Sequence, residues 1–243
     1  YGTGKREENL RGYFAAISAM DEQIGRLLDA VEEQGLADNT VILFTADNGM
    51  SMGQHGVWGK GNGTFPMNMY DSAVKVPFLI SWPGHIPANT VCSEMISACD
   101  LLPTILKLTG LSDKQPTGLP GRSFTELLEG RQLEHRDEVV IFDEYGPVRM
   151  IRTKEWKYVH RYPYGKHELY HLVDDPGEEK NLYGLPEYKK LVTQLKGRME
   201  KWFCTYSDPA IDGVRSAVNG SGQLCRPGVY AIYEDPFAPK GVE

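Results

Sequence analysis

Apolar residues near the start of the chain recur at steps of three and four, which predicts one long amphipathic helix. The apolar positions are Leu10, Tyr13, Phe14, Ile17, Met20, Ile24, Leu27, Leu28 and Val31. Gly35 fits a C-terminal cap of this helix. After a polar turn, residues 41–46 form an apolar run, which is typical of a strand buried in a parallel sheet. A long helix that leads into a buried strand indicates an α/β layer unit.

The next part of the chain combines a long loop with short elements. Residues 47–73 contain many glycines together with Met, Trp, His and Phe, so a functional loop is favoured over a disordered one. Strands are predicted at 74–82 and 91–98. Asp100 is expected to cap a short helix at 101–108. The sequence of residues 123–126 reads as a capping box that opens another helix.

A charged linker near 131–137 separates this part from a second pattern. Four short apparent strands follow, at 139–144, 148–152, 156–160 and 168–171. Their short connections favour an antiparallel meander. Residues 185–203 are then predicted to form an amphipathic helix.

We therefore expect three regions. Residues 1–130 belong to an α/β domain, residues 131–204 form a subdomain of antiparallel strands plus a helix, and residues 205–243 form an irregular wrapping tail.

Composition excludes some function classes. A chain of 243 residues can bury one large core, or one core with a smaller subdomain. The net charge is −7 and no stripe of Lys or Arg occurs, which argues against nucleic-acid binding. No apolar stretch is long enough to span a membrane. The chain begins at Tyr1 without a signal-peptide pattern, and the sequence does not determine the cellular compartment.

The four cysteines divide into two pairs. Cys92 and Cys99 lie on a core-like segment and are predicted to be buried thiols. Cys204 and Cys225 flank an irregular loop. Whether they form a disulfide depends on the compartment and stays open. No Cys-x-x-Cys pair suggests zinc.

The strongest candidate for chemistry is the pair Asp47-Asn48, which directly follows the apolar run at 41–46. Its carboxylate and amide oxygens are the hard ligands that calcium and magnesium prefer. Alone, the pair is better explained as a simple Asx turn. Its place at the carboxyl end of a strand favours a ligand role, since ligands of open α/β sheets bind there.

Lys60 and His55 are the next candidates. Lys60 carries the one formal charge between Asp47 and Asp71. A lone ammonium near a divalent metal suits an oxyanion such as sulfate or phosphate, although most lysines are solvated surface residues. His55 fits a proton donor, a substrate hydrogen-bonder or a packing residue, and the sequence alone selects none of these.

Several ordered motifs resemble the formylglycine-dependent sulfatase family of the alkaline phosphatase superfamily. The matching stretches lie at 13–17, 21–28, 35–40, 44–60, 76–84, 100–104, 169–172, 175–178 and 181–182. The most specific of them is FTADNGMSMGQHGVWGK at 44–60, and the resemblance covers most of residues 10–203. It implies the C-terminal part of an alkaline-phosphatase-like α/β/α sandwich plus a smaller antiparallel-sheet-and-helix subdomain.

The resemblance also implies roles for individual residues. Asp47 and Asn48 are expected to bind the active-site calcium ion, with magnesium as an alternative. Lys60 is expected to contact the sulfate oxygens and to stabilise the transition state. His55 matches the family's Gly-x-His-Gly and is a candidate for the catalytic or pocket-lining set.

The rim of the substrate pocket is less defined. Asn62 and Arg149 are candidates for substrate binding there. Arg149 fits a second substrate anion or, equally, an ion pair with a nearby carboxylate.

The sequence departs from the family pattern in one respect. The family nucleophile is a Cys or Ser in Cys/Ser-x-Pro-x-Arg, oxidised to formylglycine, and this motif does not occur here. The run at 225–229 comes near, but Val229 stands in place of the arginine. The paired N-terminal aspartates and the upstream His and Lys are absent too. The chain therefore resembles the C-terminal portion of a sulfatase, with formylglycine expected on the missing N-terminal part.

The expected function is that of a sulfuric ester hydrolase acting on a sulfated carbohydrate or an aryl or alkyl sulfate. The polypeptide alone is predicted to be inactive, so its expected partners are a sulfate ester substrate and the missing N-terminal part. Two alternatives are a phosphonate or phosphodiester hydrolase of the same superfamily, and a non-catalytic binding module that retains the fold.

Overall fold

The computed structural model describes residues 6–131, 136–143, 146–162, 165–215, 218–219 and 222–223. Its helices and strands, apart from single 3-10 turns, are in chain order α1 (Arg6–Glu33), β1 (Ile42–Thr45), β2 (Ser51–Met52), β3 (Trp58–Gly59), α2 (Asp71–Val74), β4 (Phe78–Ser81), α3 (Leu101–Leu108), α4 (Thr125–Leu128), β5 (Val139–Phe142), β6 (Val148–Arg152), β7 (Trp156–Arg161), β8 (Glu168–His171), α5 (Lys189–Tyr206), β9 (Val218–Asn219) and β10 (Gly222–Gln223).

Helix α1 confirms the helical spacing read from the sequence. It ends at Glu33 and is capped by Gly35, whose φ of +65° lies in the left-handed region. The Leu36 N–H donates to the Val31 carbonyl at 3.0 Å and the Gly35 N–H to the Glu32 carbonyl at 2.9 Å, which is the Schellman pattern of a glycine-terminated helix. None of the helix residues is buried among the described residues, so its apolar stripe faces outward.

Strand β1 differs from the prediction of a buried parallel strand. It pairs antiparallel with β4, with Ile42 opposite Ser81 and Thr45 opposite Phe78. All four of its residues are half-buried. An apolar run alone does not specify the direction of the partner strand, and here the chain returns through the long loop to run alongside β1 in the opposite sense.

Two other strand predictions need correction. The strand predicted at 74–82 shortens to β4, because α2 occupies the start of that range up to Val74 and Pro77 lacks the N–H needed for a ladder hydrogen bond. The strand predicted at 91–98 is wrong. Those residues are irregular and lead into a 3-10 turn, Ala98–Asp100, and Val91 is 98% exposed.

The predicted helix caps are also arranged differently. The capping side chain belongs to Ser97, and Asp100 closes the box by accepting from the Ser97 N–H at 2.9 Å. The Asp100 carboxylate, fully buried, also accepts from the Arg122 N–H at 2.7 Å and pairs with both sides of the Arg136 guanidinium. Burial opposes ionisation of Asp100, but Arg136 and the two N–H donors outweigh it and lower its pKa.

The capping box predicted at 123–126 does not form either. Helix α4 has Phe124 at its N-cap, without a side-chain cap. Ser123 Oγ instead lies 3.4 Å from the Thr125 N–H.

The antiparallel meander is confirmed. Strands β5, β6, β7 and β8 form one sheet in that order, with all neighbours antiparallel. The predicted bounds of β6 and β8 agree with the structure residue for residue.

Both faces of this sheet are packed. One face meets α5 in a core whose buried members are Val140, Ile151, Tyr158, Leu169, Leu182, Leu195, Met199 and Phe203. On the other face, Val148, Met150 and Val159 cluster with Met69, and Met67 packs against them. The sheet therefore lies between α5 and the stretch of chain at 67–71.

The cysteines differ from the prediction. Cys92 and Cys99 are exposed free thiols rather than buried ones, because the stretch at 91–98 does not enter the core. Cys204 is also an exposed free thiol, while Cys225 lies outside the described residues. In the part of the chain that the structure covers, no helix has the length and apolar character of a membrane span.

A histidine pair is enclosed on the α5 side of the sheet. His160 and His167 stack with ring centroids 4.0 Å apart, and His160 Nδ1 lies 2.6 Å from the Tyr158 hydroxyl. Burial, followed by the nearby His167, Lys196 and Arg149, lowers the pKa of His160 to about 3. Burial also lowers the pKa of His167. Both rings are therefore neutral in the folded protein near pH 7.

The neutral His160 predicts a pH-dependent stability. An unfolded histidine has a pKa of about 6.5, so this contribution is complete above about pH 6.5 and is lost as the pH falls toward the folded pKa. We expect the free energy of unfolding to fall by up to about 1.4 kcal/mol per pH unit below about pH 6.5 for this group. Urea unfolding at pH 7.0, 6.0 and 5.0 measures the slope.

His160→Gln is expected to reduce the slope of unfolding free energy against pH without removing it. The lowered pKa of His167 also makes the protein less stable as the pH falls. His85→Gln is the matched control, because His85 is exposed and stacks on Trp82. Equal slopes in the His160 variant and the parent protein would contradict the assignment.

Candidate active site

The Asp47-Asn48 turn lies at the carboxyl end of β1 and is fixed against α2. The Gly49 N–H donates to the Ala73 carbonyl at 2.8 Å. A Cβ at Gly49 would lie 2.3 Å from the Ser72 carbonyl oxygen, so only glycine fits this approach. The buried Ser51 hydroxyl adds a hydrogen bond to the Ser72 hydroxyl at 2.7 Å.

The hairpin of β2 and β3 returns the chain to this turn and places Lys60 beside it. Lys60 Nζ donates to Asn48 Oδ1 at 3.3 Å. Asp47 is exposed, and its Oδ1 accepts from the Asn48 N–H at 2.8 Å. The three residues singled out from the sequence thus lie together. The expected Asx turn is not formed, because the Gly49 N–H donates to Ala73 rather than to the Asp47 carboxylate.

His55 lies at the tip of this hairpin with a strained backbone. Its φ is +54°, and the flanking Gly53 and Gly56 also have positive φ. Its exposed ring stacks on Tyr70 with centroids 3.7 Å apart and planes 5° apart. A hydrogen bond joins the Tyr70 and Tyr170 hydroxyls, and burial raises the pKa of Tyr70. His55 therefore has a packing partner and an accessible ring at once, and its chemical role stays a prediction.

The two rim candidates occupy different environments. Asn62 is exposed in a 3-10 turn that directly follows Lys60. Arg149 is buried, forms an ion pair with Asp212, and has its guanidinium carbon 3.6 Å from the Phe203 ring centroid. These contacts join the sheet to α5 and to the chain that follows it. The geometry favours the structural interpretation of Arg149, whereas Asn62 stays a rim candidate.

A buried ionic cluster behind the loop was not anticipated from the sequence. Lys157 is fully buried, and its Nζ contacts the Met69 carbonyl at 3.0 Å and Asp71 Oδ1 at 2.5 Å. It also lies 2.5 Å from Glu178 Oε1, as an ion pair rather than a hydrogen bond. Arg152 adds contacts of 3.4 and 3.3 Å to the two Asp71 oxygens.

The same cluster holds the backbone of the chain at 67–71. Arg161 donates to the Met67 carbonyl at 3.1 Å, and Glu178 Oε2 accepts from the Asp71 N–H at 2.6 Å. Burial opposes ionisation of Asp71, but Lys157 and Arg152 outweigh it and lower its pKa. The sequence contained one indication of this cluster. Lys157 stands between Trp156 and Tyr158 in the predicted strand at 156–160, where a charged residue is unusual.

The described residues supply part of a metal shell. Within them, no group of three or more His, Cys, Asp or Glu side chains is placed to hold a metal ion. Asp47 and Asn48 offer a carboxylate and an amide oxygen, which suit calcium or magnesium, but calcium takes six to eight oxygen ligands. The donor chemistry fits, and the remaining ligands must come from elsewhere.

Comparisons with known proteins identify relatives of similar sequence and fold. The family model described as "N-sulphoglucosamine sulphohydrolase, C-terminal" matches residues 53–204. An N-acetylglucosamine-6-O-sulfatase of Bacteroides thetaiotaomicron is 31% identical over 219 residues, which cover 84% of this chain and 37% of that protein. The chain thus spans less than half of this relative's length.

Solved structures extend the similarity to the fold. A structure in complex with its substrate D-glucosamine-2-N,6-O-disulfate superposes with a TM-score of 0.74 at 30% identity, covering 84% of this chain and 42% of that one. The phosphonate monoester hydrolase of Agrobacterium radiobacter superposes with a TM-score of 0.68 at 26% identity, covering 88% of this chain and 44% of that one. The predicted alkaline-phosphatase-like α/β fold is confirmed.

The buried cluster predicts a large effect for Lys157. Lys157→Met keeps the apolar stem but leaves the buried Glu178 without its cation and Asp71 with Arg152 alone, and breaking a buried pair in this way costs about 3–5 kcal/mol. Urea unfolding measures the loss. Lys154→Met is the matched control, because the Lys154 pair with Glu94 is partly exposed and is expected to be worth less than about 1 kcal/mol. Equal losses in the two variants would contradict the role of Lys157.

Proposed function

Because this chain belongs to the N-sulphoglucosamine sulphohydrolase C-terminal family of sulfatases, we propose that it supplies the calcium- and sulfate-facing part of a sulfuric ester hydrolase. The observation that carries the proposal is the 3.3 Å contact between Lys60 Nζ and Asn48 Oδ1 at the carboxyl end of β1. The contact puts a cation beside hard oxygen donors, which is the combination that a sulfate ester and a divalent metal require.

Each residue at this turn has a proposed task. Asp47 and Asn48 bind Ca²⁺, or Mg²⁺ in its place. When bound, such an ion polarises an ester oxygen as a Lewis acid. The Lys60 ammonium contacts the sulfate oxygens and stabilises the negative charge that grows on them in the transition state. His55 and Asn62 line the pocket through their exposed side chains, while Arg149 is assigned to the packing of α5.

The nucleophile is proposed to come from a part of the protein outside the printed sequence, which contains no Cys/Ser-x-Pro-x-Arg motif. In this family that group is a formylglycine. The remaining part of the catalytic domain is thus the partner that completes the site, and residues 1–243 alone are expected to lack turnover.

We also propose the division of the chain into a catalytic part at 1–130, a subdomain at 131–204 and a tail at 205–243. The meander and α5 support the subdomain, and the contact of Lys157 with Asp71 is the proposed junction with the catalytic part. The tail lies mostly outside the described residues.

A sulfated carbohydrate is the substrate class that we favour. The similar Bacteroides protein is named an N-acetylglucosamine-6-O-sulfatase, and the similar solved structure holds a disulfated glucosamine. The similarity to a phosphonate monoester hydrolase favours phosphonate or phosphodiester hydrolysis as the second candidate. A non-catalytic binding module is the third.

Removal of the Asp47 carboxylate tests the metal site. In the full-length protein, Asp47→Asn is expected to weaken calcium binding and to lower kcat/KM for an aryl sulfate by at least about 100-fold, since a ligand matters no less than the groups that orient it. Calorimetric calcium titration and turnover assays measure the two effects. Asp38→Asn, at an exposed carboxylate in the turn before β1, is the control. Unchanged calcium affinity in the Asp47 variant would remove the metal assignment.

The choice of ester class is tested separately. The full-length protein is expected to hydrolyse sulfate monoesters with a higher kcat/KM than matched phosphonate monoesters or phosphodiesters with the same leaving group. Steady-state assays of the three ester types at one pH give the ratio. A preference for the phosphorus esters would establish the second candidate, and failure to turn over any of them would favour the binding module.

A further inference from the structure

Asn68 occupies a buried position directly behind Lys60. It is 3% exposed. Its Nδ2 donates to the Lys60 carbonyl at 3.3 Å, the Gly61 carbonyl at 3.1 Å and the Thr64 hydroxyl at 3.3 Å. Its backbone N–H also donates to the Gly61 carbonyl at 3.0 Å. One side chain therefore holds both ends of the turn that begins at Lys60.

The orientation of this amide is fixed by its surroundings. Two carbonyl oxygens face it, and an amide oxygen in the same place would meet acceptors and no donor, so the NH₂ group points toward Lys60 and Gly61. The cost is that Asn68 Oδ1 is buried without a hydrogen-bond partner among the described residues.

The turn needs such a constraint because glycines flank Lys60. Gly59 has a φ of +138° and Gly61 follows directly, so the backbone on both sides of the lysine has more conformational freedom than an ordinary chain. The hydrogen bonds from Asn68 act on the Lys60 and Gly61 carbonyls themselves. They hold the Lys60 backbone in the position from which its Nζ reaches Asn48 Oδ1.

Asn68 is itself held by the sheet. The Met67 carbonyl accepts from Arg161 and the Met69 carbonyl from Lys157, so the carbonyl groups of the two residues that neighbour Asn68 are bound to buried cations of β7. The ionic cluster, Asn68 and Lys60 thus form one continuous chain of contacts between the subdomain and the candidate active site.

We propose that Asn68 is a positioning residue that holds the Lys60 ammonium in place for the transition state. This inference rests on the proposed function of Lys60. Asn68 does not touch the substrate and acts through the lysine. Because the charge that Lys60 stabilises grows during the reaction, loss of its placement lowers kcat more than it raises KM.

The test is a double-mutant cycle in the full-length protein. Asn68→Asp keeps the side-chain shape but replaces the donor with an acceptor. Loss of a group that orients a catalytic residue typically lowers activity about 10-fold to 100-fold, and we expect that loss in kcat for a sulfate ester, with little change in KM. Asn68→Ser, which keeps one hydroxyl donor, is expected to fall between Asn68→Asp and the parent protein.

In a Lys60→Ala background, Asn68→Asp is expected to cause no further loss, since a residue that acts through the lysine has no effect once the lysine is gone. Multiplicative losses in the double variant would overturn the inference. Asn39→Asp, at an exposed position in the turn before β1, controls for a general effect of the added charge, and thermal unfolding checks that each variant is folded.

The cycle distinguishes failure of the proposed role of Lys60 from failure of the positioning role of Asn68. If Lys60→Ala alone leaves sulfate ester turnover unchanged, the proposed function of Lys60 fails and the inference fails with it. If Lys60→Ala abolishes most turnover while Asn68→Asp and Asn68→Ser match the parent protein, only the positioning role is wrong.

Discussion

The ammonium group of Lys157 is the interaction on which the arrangement of this chain depends. It is fully buried and lies among the Met69 carbonyl and the carboxylates of Asp71 and Glu178. A buried charge is tolerated only when it is paired and hydrogen-bonded. Here Arg152 supplies a second cation through its pair with Asp71, so two cations accompany the two carboxylates. Such a cluster has one satisfactory geometry, and it therefore fixes the chain at 67–71 on the sheet.

The four-stranded sheet therefore also supports the part of the chain that carries the candidate site. One face carries α5 through an apolar core, and the other carries the stretch of chain that supports Lys60. Arg149 and its partner Asp212 belong to the first face, and Lys157 to the second. Covering both faces explains why the central strands contain few exposed residues. It also means that the geometry of the candidate site depends on residues of the sheet that never contact a substrate.

The sequence predicted secondary structure and local motifs but not the contacts between residues far apart in the chain. The long helix, the four strands and the final helix follow from periodicity over a few residues, and the grouping of Asp47, Asn48 and Lys60 follows from a specific family motif. The direction of the partner of β1 and the irregular stretch at 91–98 depend on packing that an apolar run does not encode. The pairing of Lys157 with Asp71 spans 86 positions. Asn68 and Asp71, as polar residues in a loop, look like solvent-exposed positions until the sheet is placed behind them.

The alternation along residues 67–71 has a consequence for how this part of the chain can vary. Met67 and Met69 face the sheet, whereas Asn68 reaches the Lys60 turn and Tyr70 the His55 ring. Adjacent side chains thus point alternately toward the sheet and toward the candidate site, as they alternate between the two faces of a strand. Inserting or deleting one residue within this stretch would send methionines toward the lysine turn and polar groups into the apolar cluster. A change of length in the neighbouring turn at 61–66 would leave this alternation intact.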